Sequence, residues 1–183
     1  MPILQRRVTI TSEEYLQGEI YSAIRHEYVN GEVYAMVGAS EAHNLIAGNL
    51  HSALHHHLHG TPCRVFMSDM KVRLGDVFYY PDVLVSCSEK DVQPYYKTEP
   101  ILVIEVTSPS TELKDSLEKR IAYQSLASLQ EYVLANQDKQ EIKVYRRAET
   151  GWDLETFAEG ERVRLVSVNL EVPMEAVYEN AWR

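Results

Sequence analysis

Two acids stand where apolar strand residues belong. Glu105 interrupts "ILVIEVTSPS", residues 101–110, between Ile104 and Val106. Asp82 interrupts "YYPDVLVSC", just after Pro81 and just before Val83, Leu84 and Val85. Taking a carboxylate out of water is costly unless a cation, a hydrogen-bond donor or a proton compensates. One acid so placed is ordinarily neutralised by an Arg or Lys nearby. Two of them, on strands that follow one another in sequence, are a different matter. If those strands pair, the carboxylates converge at one end of a sheet, and their repulsion raises a pKa or attracts a cation. Oxygen donors of this kind suit a hard divalent ion such as Mg²⁺ or Mn²⁺.

The elements that must position these acids follow from local pattern. Thr11-Ser12-Glu13-Glu14 has the capping-box spacing and opens a short helix that ends between Gly18 and Ser22. Asn30-Gly31 between two β-rich runs predicts a hairpin, with strands at 25–29 and 32–37. Ile46, Leu50, Leu54 and Leu58 recur every four residues, with Ala47 beside them. That is an amphipathic helix packed on a sheet, closed by Gly60 and Pro62. "CRVFMSDMKVRL" predicts one strand, with a bulge, and "VFYYPDVLVSC" its return after Gly75-Asp76. Region 88–99 is polar and reads as a loop before the 101–107 strand. Ser108-Pro109-Ser110-Thr111 then starts a helix over 112–127 whose core stripe is Leu113, Leu117 and Ile121. "EYVLANQ" and "EIKVYRR" form a hairpin around Asp138-Lys139, "GWDLETFA" and "RVRLVSV" another at Gly160, and a short helix lies near 173–180. The order predicts an α/β (α+β) sandwich, a mixed sheet with helices on its faces.

Composition narrows the classes. The chain has 183 residues, 45% hydrophobic and 25% charged, which is enough for one domain with a real core. We expect a single domain over 1–183, with a core at about 8–148 and a C-terminal hairpin extension at about 149–183. No secretory signal or membrane span is read from the sequence, and Cys63 and Cys87 read as reduced thiols, which together predict a cytoplasmic protein with no membrane partner. The net charge of −9 argues against a broad polyanion-binding surface, leaving room for a small site whose metal supplies the positive charge. "HSALHHHLHG" invites a zinc reading because His51, His55 and His59 are four apart. It lacks the H-E-x-x-H arrangement and a Cys pair, and the same histidines fill the polar side of the predicted helix. No phosphate-cradling Gly-rich loop, nucleophile elbow or Cys/His nucleophile pattern is present.

The joint pattern of Pro81-Asp82, Glu105-Val106-Thr107-Ser108-Pro109-Ser110-Thr111, Asp115, Lys119 and Tyr123 resembles the Uma-two family, grouped with the PD-(D/E)XK restriction-endonuclease-like nucleases. "RHEYVNGEVYAMVGAS" with His43-Asn44-Leu45-Ile46, "PCRVFMSDMKVRL" and "LQEYVLANQ" extend the resemblance over roughly residues 8–175. It implies a restriction-endonuclease-like mixed sheet flanked by helices, with N-terminal and C-terminal β-hairpins. It also implies a Mg²⁺- or Mn²⁺-dependent endonuclease that hydrolyses DNA phosphodiester bonds. Asp82, Glu105 and the Val106 carbonyl would hold the ion, with Glu27 as a further acid ligand and Asp69 a weaker one.

The sequence departs from the family pattern at one place. The position two after the Glu, normally Lys, is Thr107, which a strand puts on the same face as Glu105. Lys119, on the following helix and on one face with Asp115 and Tyr123, is the first substitute. Lys71, two after Asp69, is the second. His43, Thr107 and Tyr123 are expected near the substrate, and a homodimer is expected because nucleases that cut both strands often pair. Two rival readings share the scaffold: a catalytically weak nucleic-acid-binding or interaction module, and a metal-dependent hydrolase of a small phosphorylated substrate.

Overall fold

The computed structural model describes residues 9–107 and 115–182. Helix α1 (Ser12–Tyr21) starts at the expected capping box: the Glu14 N–H donates to the Thr11 hydroxyl, and the Thr11 N–H donates to the Glu14 carboxylate at 2.8 Å. Strands β1 (His26–Val29) and β2 (Glu32–Ala35) form the N-terminal hairpin. Its turn needs two left-handed residues, and Asn30 (φ 48°) and Gly31 (φ 97°) supply them. A Cβ at Gly31 would also come within 3.0 Å of the Thr9 side chain. Helix α2 (Glu41–His57) buries Ile46, Ala47, Leu50 and Leu54, as its four-residue period requires.

The two long strands expected at 63–74 and 77–87 are each broken in two. They become β3 (Arg64–Met67) and β4 (Lys71–Arg73), then β5 (Val77–Tyr79) and β6 (Val83–Ser86). The break has a physical cause. Ser68 takes φ 53°, a left-handed conformation that ends a strand, and Pro81 brings no N–H to a ladder. Both chains therefore leave one sheet and enter another at the same level. The first sheet runs β2-β1-β5-β4-β7, where β7 (Tyr96–Lys97) is a short strand inside the segment expected to be only loop. The second sheet runs β11 (Trp152–Ala158), β10 (Glu141–Arg147), β9 (Glu131–Asn136), β8 (Leu102–Thr107), β6 and β3. Here β8 (Leu102–Thr107) is buried along its whole length, antiparallel to β6 and parallel to β9 (Glu131–Asn136).

Helix α3 (Asp115–Gln124) crosses from β8 to β9. Beyond β9 come β10 (Glu141–Arg147) and β11 (Trp152–Ala158). The expected hairpin at Gly160 does not form. β11 pairs with β10, whereas β12 (Arg162–Leu165) turns away to pair with β13 (Leu170–Pro173). A three-residue 3-10 turn and the αL residue Asn169 link β12 to β13, and α4 (Met174–Val177) closes the chain. Glu131 supplies the reason for the turn. Its carboxylate accepts from the Val166 and Ser167 N–H groups and from Arg146, so the chain after β12 is tied to β9.

The second sheet has two buried faces. One packs Val83, Val85, Leu102, Ile104 and Val106 on α2, together with Val163, Val172, Met174 and Val177 of the C-terminal segment. The other packs Leu84, Val103 and Tyr132 against Tyr79, Val72 and Tyr123. Two further expectations need correction. Leu117 and Ile121 are exposed (45% and 60%), whereas Tyr123 is fully buried and Ala122 packs beside it. Helix α3 turns its Lys119/Tyr123 side inward because the acids lie there. The helix start at 108–114, with Leu113, falls outside the described residues. Cys63 and Cys87 form a disulfide rather than two thiols. They occupy facing positions one rung beyond the Arg64↔Ser86 pair of β3 and β6.

Candidate active site

The β6–β8 ladder brings the two acids together. Val83 pairs with Ile104 in antiparallel register, so the next position outward sets Asp82 against Glu105. Facing residues of an antiparallel pair project to the same side. Both therefore lie on the face that packs under α3, in phase with Leu84 and Val103.

Asp82 sits at the crossing between the two sheets, and both its oxygens are engaged. The Val106 N–H donates to Oδ2 at 2.7 Å, and His43 Nε2 lies 2.8 Å from Oδ1. The Asp82 carbonyl accepts from the Ser68 N–H at 3.0 Å, so the left-handed Ser68 anchors the same corner.

Glu105 is 9% exposed and, among the described residues, thinly served. Its Oε1 accepts from the Tyr123 hydroxyl at 3.4 Å, near the limit for a hydrogen bond, and lies 3.8 Å from Lys119 Nζ. Burial pushes its carboxyl up to about 8. Lys119 opposes that rise, while the charges of Asp82 and Glu27 add to it.

Lys119 donates to Glu27 Oε1 at 2.6 Å and stands over the Tyr79 ring. Burial alone would lower its ammonium, but Glu105 and Glu27 outweigh burial and hold it above the usual lysine range. The ammonium is thus the counter-ion that two of three clustered acids share.

These groups open into a groove of about 1080 Å³. One wall is the apolar run Tyr34–Gly38, the end of β2 and the residues beyond it, in which Tyr34, Met36 and Val37 are 49%, 39% and 91% exposed. The floor carries Glu27, Asp82, Glu105, Glu118 and Asp138, with Lys119 the one Lys or Arg among the described lining residues. His43 and Thr107 also line it, so Thr107 sets a hydroxyl beside Glu105 where the PD-(D/E)XK pattern has an ammonium. Tyr123 does not line the groove and supports Glu105 from behind.

Other sequence candidates lie elsewhere. The Lys71 ammonium donates to the Tyr80 hydroxyl at 3.0 Å, which in turn donates to Glu19 at 3.0 Å. That buried chain ties α1 to the first sheet, and Lys71 does not line the groove. Asp69 forms an exposed ion pair with Arg25. His51 and His55 stack at 5.8 Å on α2. Among the described residues, no three His, Cys, Asp or Glu side chains stand with the spacing that would hold a metal ion as placed. The donor chemistry nonetheless suits a hard cation. Asp82 and Glu105 offer carboxylate oxygens with unused lone pairs, and the described residues give Glu105 only the Tyr123 hydroxyl and the Lys119 ammonium.

Sequence reasoning missed Ser40 and Gln137 as parts of this site. Ser40 caps α2, its hydroxyl accepting from the His43 N–H at 3.1 Å and donating to Gln137 Oε1 at 3.0 Å. The cap was readable from Ser40-Glu41 ahead of an apolar period. Gln137, one residue past a strand, carried no signal.

Comparison with known proteins agrees with this architecture. Residues 12–175 match the sequence profile of the Uma2 family, described as "Putative restriction endonuclease". The uncharacterized protein slr1290 of Synechocystis sp. is 35% identical over 173 residues, covering 92% of this chain and 91% of its own length. A second Synechocystis protein, the uncharacterized sll1609, is 29% identical over 152 residues, covering 80% and 86%. A crystal structure from Anabaena variabilis, titled as that of a "putative nuclease belonging to DUF820", superposes with a TM-score of 0.74 at 20% identity, covering 94% of this chain and 99% of its own. The last likeness establishes the shared fold. No helix among the described residues is long and apolar enough to cross a membrane.

Proposed function

The chain belongs to the Uma2 family of restriction-endonuclease-like proteins, and on that premise we propose that it is a Mg²⁺- or Mn²⁺-dependent endonuclease that hydrolyses DNA phosphodiester bonds. The observation that carries this reading is the meeting of Asp82 and Glu105 at the end of one antiparallel pair, over a groove that also holds Lys119. Asp82 and Glu105, with the Val106 carbonyl and Glu27 as further donors, would hold the ion. Such an ion supplies Lewis acidity to the phosphate and lowers the pKa of water.

The chain's own residues then have separable roles. Asp82 enters the site already oriented by His43 and Val106. Glu105, whose carboxyl sits near 8, exchanges its proton for a cation close to neutral pH. Lys119 carries a fixed positive charge at the groove floor and orients the attacking water in place of the missing lysine at Thr107. Tyr123 donates to Glu105 and limits its movement. DNA and a second copy of the chain are the proposed partners. An acidic floor repels phosphate, so DNA binding by this groove depends strongly on the divalent ion.

The test is plasmid nicking by purified protein with Mn²⁺ or Mg²⁺. We expect nicking by the parent and none by Asp82→Ala; equal cleavage by the two would overturn the reading. The scarcity of basic side chains among the described lining residues favours one rival, a hydrolase of a small phosphorylated substrate. Turnover of nucleotides without cleavage of polymers would select it.

A further inference from the structure

The contacts around Asp82 close into a circuit. The Val106 N–H donates to Asp82 Oδ2 (2.7 Å), and Oδ1 meets His43 Nε2 (2.8 Å). The His43 N–H donates to the Ser40 hydroxyl (3.1 Å), and that hydroxyl donates to Gln137 Oε1 (3.0 Å). The Gln137 N–H then donates to the Thr107 carbonyl (2.9 Å), and Thr107 is the next residue after Val106. Five hydrogen bonds thus run through the end of β8, the first turn of α2, the residue after β9 and the corner where β5 crosses to β6. Every donor and acceptor in the loop is used once toward the next member.

We infer that this ring is the device that positions Asp82, with His43, Ser40 and Gln137 as positioning residues rather than groups that touch substrate. The inference rests on the metal-site reading of Asp82 and assigns the residues that serve it. The geometry supports it in three ways. Asp82 lies beyond the last paired rung of β6, so the ladder does not hold it. The two donors on it come from two different elements, the β8 backbone and helix α2 packed on the sheet, which fixes the carboxylate plane and leaves each oxygen a further lone pair. Among the described residues, Ser40 and Gln137 reach Asp82 through the ring, by way of His43 and of Thr107 and Val106. Hydrogen-bonded partners of metal-holding side chains typically change metal affinity by about 10–100-fold when removed.

The experiment uses two readouts on the full chain. In metal-free protein, amide exchange at Val106 reports whether its N–H is held by Asp82, with the Ile104 amide of the same strand as control. We expect His43→Ala, Ser40→Ala and Gln137→Ala each to speed Val106 exchange by about tenfold or more while Ile104 is unchanged, with Ser40→Thr restoring the parent rate. Calorimetric Mn²⁺ titration then follows. We expect about tenfold weaker binding in His43→Ala and Gln137→Ala, and a double variant no weaker than His43→Ala, since members of one unit do not add. Val106 exchange that responds to His43→Ala alone, or losses that multiply in the double variant, would overturn the ring. A parent that binds no Mn²⁺ would remove the metal reading instead, and the exchange data would still decide the ring.

Discussion

Two glutamates are buried in the same sheet, one strand apart, and their surroundings are opposite. Glu131, at the start of β9, is fully buried and saturated. Its carboxylate accepts from Arg146 Nε at 2.8 Å, from the Val166 N–H at 3.0 Å, and from the Ser167 N–H and hydroxyl at 2.8 and 2.6 Å. Among the described residues, Glu105 on β8 has one long hydrogen bond and an ammonium 3.8 Å away. A saturated buried carboxylate holds structure together, here tying β12 and the 3-10 turn to the sheet. An under-served one costs stability and is tolerated where chemistry needs a ligand or a base. Burial alone does not separate the two cases; the count of donors does.

The largest effect that would break this contrast is on catalysis. Glu105→Gln should lower plasmid cleavage on the order of 10³-fold or more, since it removes a charged group from the reacting site while keeping its shape. Glu131→Gln should leave cleavage per folded molecule within about threefold. If Glu131→Gln lost as much as Glu105→Gln, donor count would be no guide to function here.

Stability should show the reverse order. Glu131→Ala leaves the Arg146 Nε–H, the Ser167 hydroxyl and two backbone N–H groups without their acceptor, although Arg146 keeps Glu155, and should cost about 3–5 kcal/mol in denaturant unfolding. Glu105→Gln should cost nothing above pH 8 and should stabilise the metal-free protein there, because it deletes an ionised group that burial opposes.

Linkage sharpens the comparison further. Glu105 binds its proton more tightly folded than unfolded, with a folded pKa of about 8 against an ordinary 4.5. Between those values the native state holds a proton that the unfolded chain has released, so stability falls as pH rises from about 4.5 to about 8 and levels above that. Unfolding of the metal-free parent across that window should show the fall, and Glu105→Gln should abolish that part of it. Saturating Mn²⁺ should also flatten it, since an ion replaces the proton. An unchanged slope in Glu105→Gln would show that Glu105 is ionised throughout.

Much of this was legible in the residues because it depends on local rules. The capping box at Thr11, the Asn30-Gly31 turn and the four-residue period from Ile46 to Leu54 each specify an element by short-range chemistry. Asp82 and Glu105 stood out because each breaks an apolar run. What escaped was set by longer-range geometry. Ser68 gives no sequence sign of its left-handed turn, so the residues predict one strand where β3 and β4 form. The β11–β12 turn at Gly160 has hairpin composition, but Glu131, some 30 residues earlier, captures the chain beyond β12. The Lys71–Tyr80–Glu19 chain could not be told from a catalytic lysine without knowing where Tyr80 points. Cys63 and Cys87 face each other only because β3 and β6 are neighbours, a pairing that spacing does not reveal.

Helix α3 gives the smallest predicted effect and bears on why the site is where it is. Its sequence offers two candidate inner faces, an aliphatic one with Leu117 and Ile121 and a polar one with Lys119 and Tyr123. Hydrophobic burial favours the first by about 1.5–3 kcal/mol per aliphatic side chain. The structure takes the second, leaving Ile121 60% exposed. The balance shifts because the surface beneath α3 is already charged. An aliphatic face there would leave Glu27 and Glu105 without a cation, at a cost of several kcal/mol per buried ion. Lys119 removes much of that cost, and Tyr123 still buries a whole ring between Tyr79 and Tyr132. It follows that Ile121→Ser should change unfolding stability by no more than about 0.5 kcal/mol, as for other exposed positions. Lys119→Met, although it adds apolar surface to a buried position, should destabilise the metal-free protein above pH 8, where Glu105 is ionised. If Ile121→Ser instead proved costly, the helix would be packed by its aliphatic side, and Lys119 would no longer be the cation that the two glutamates share.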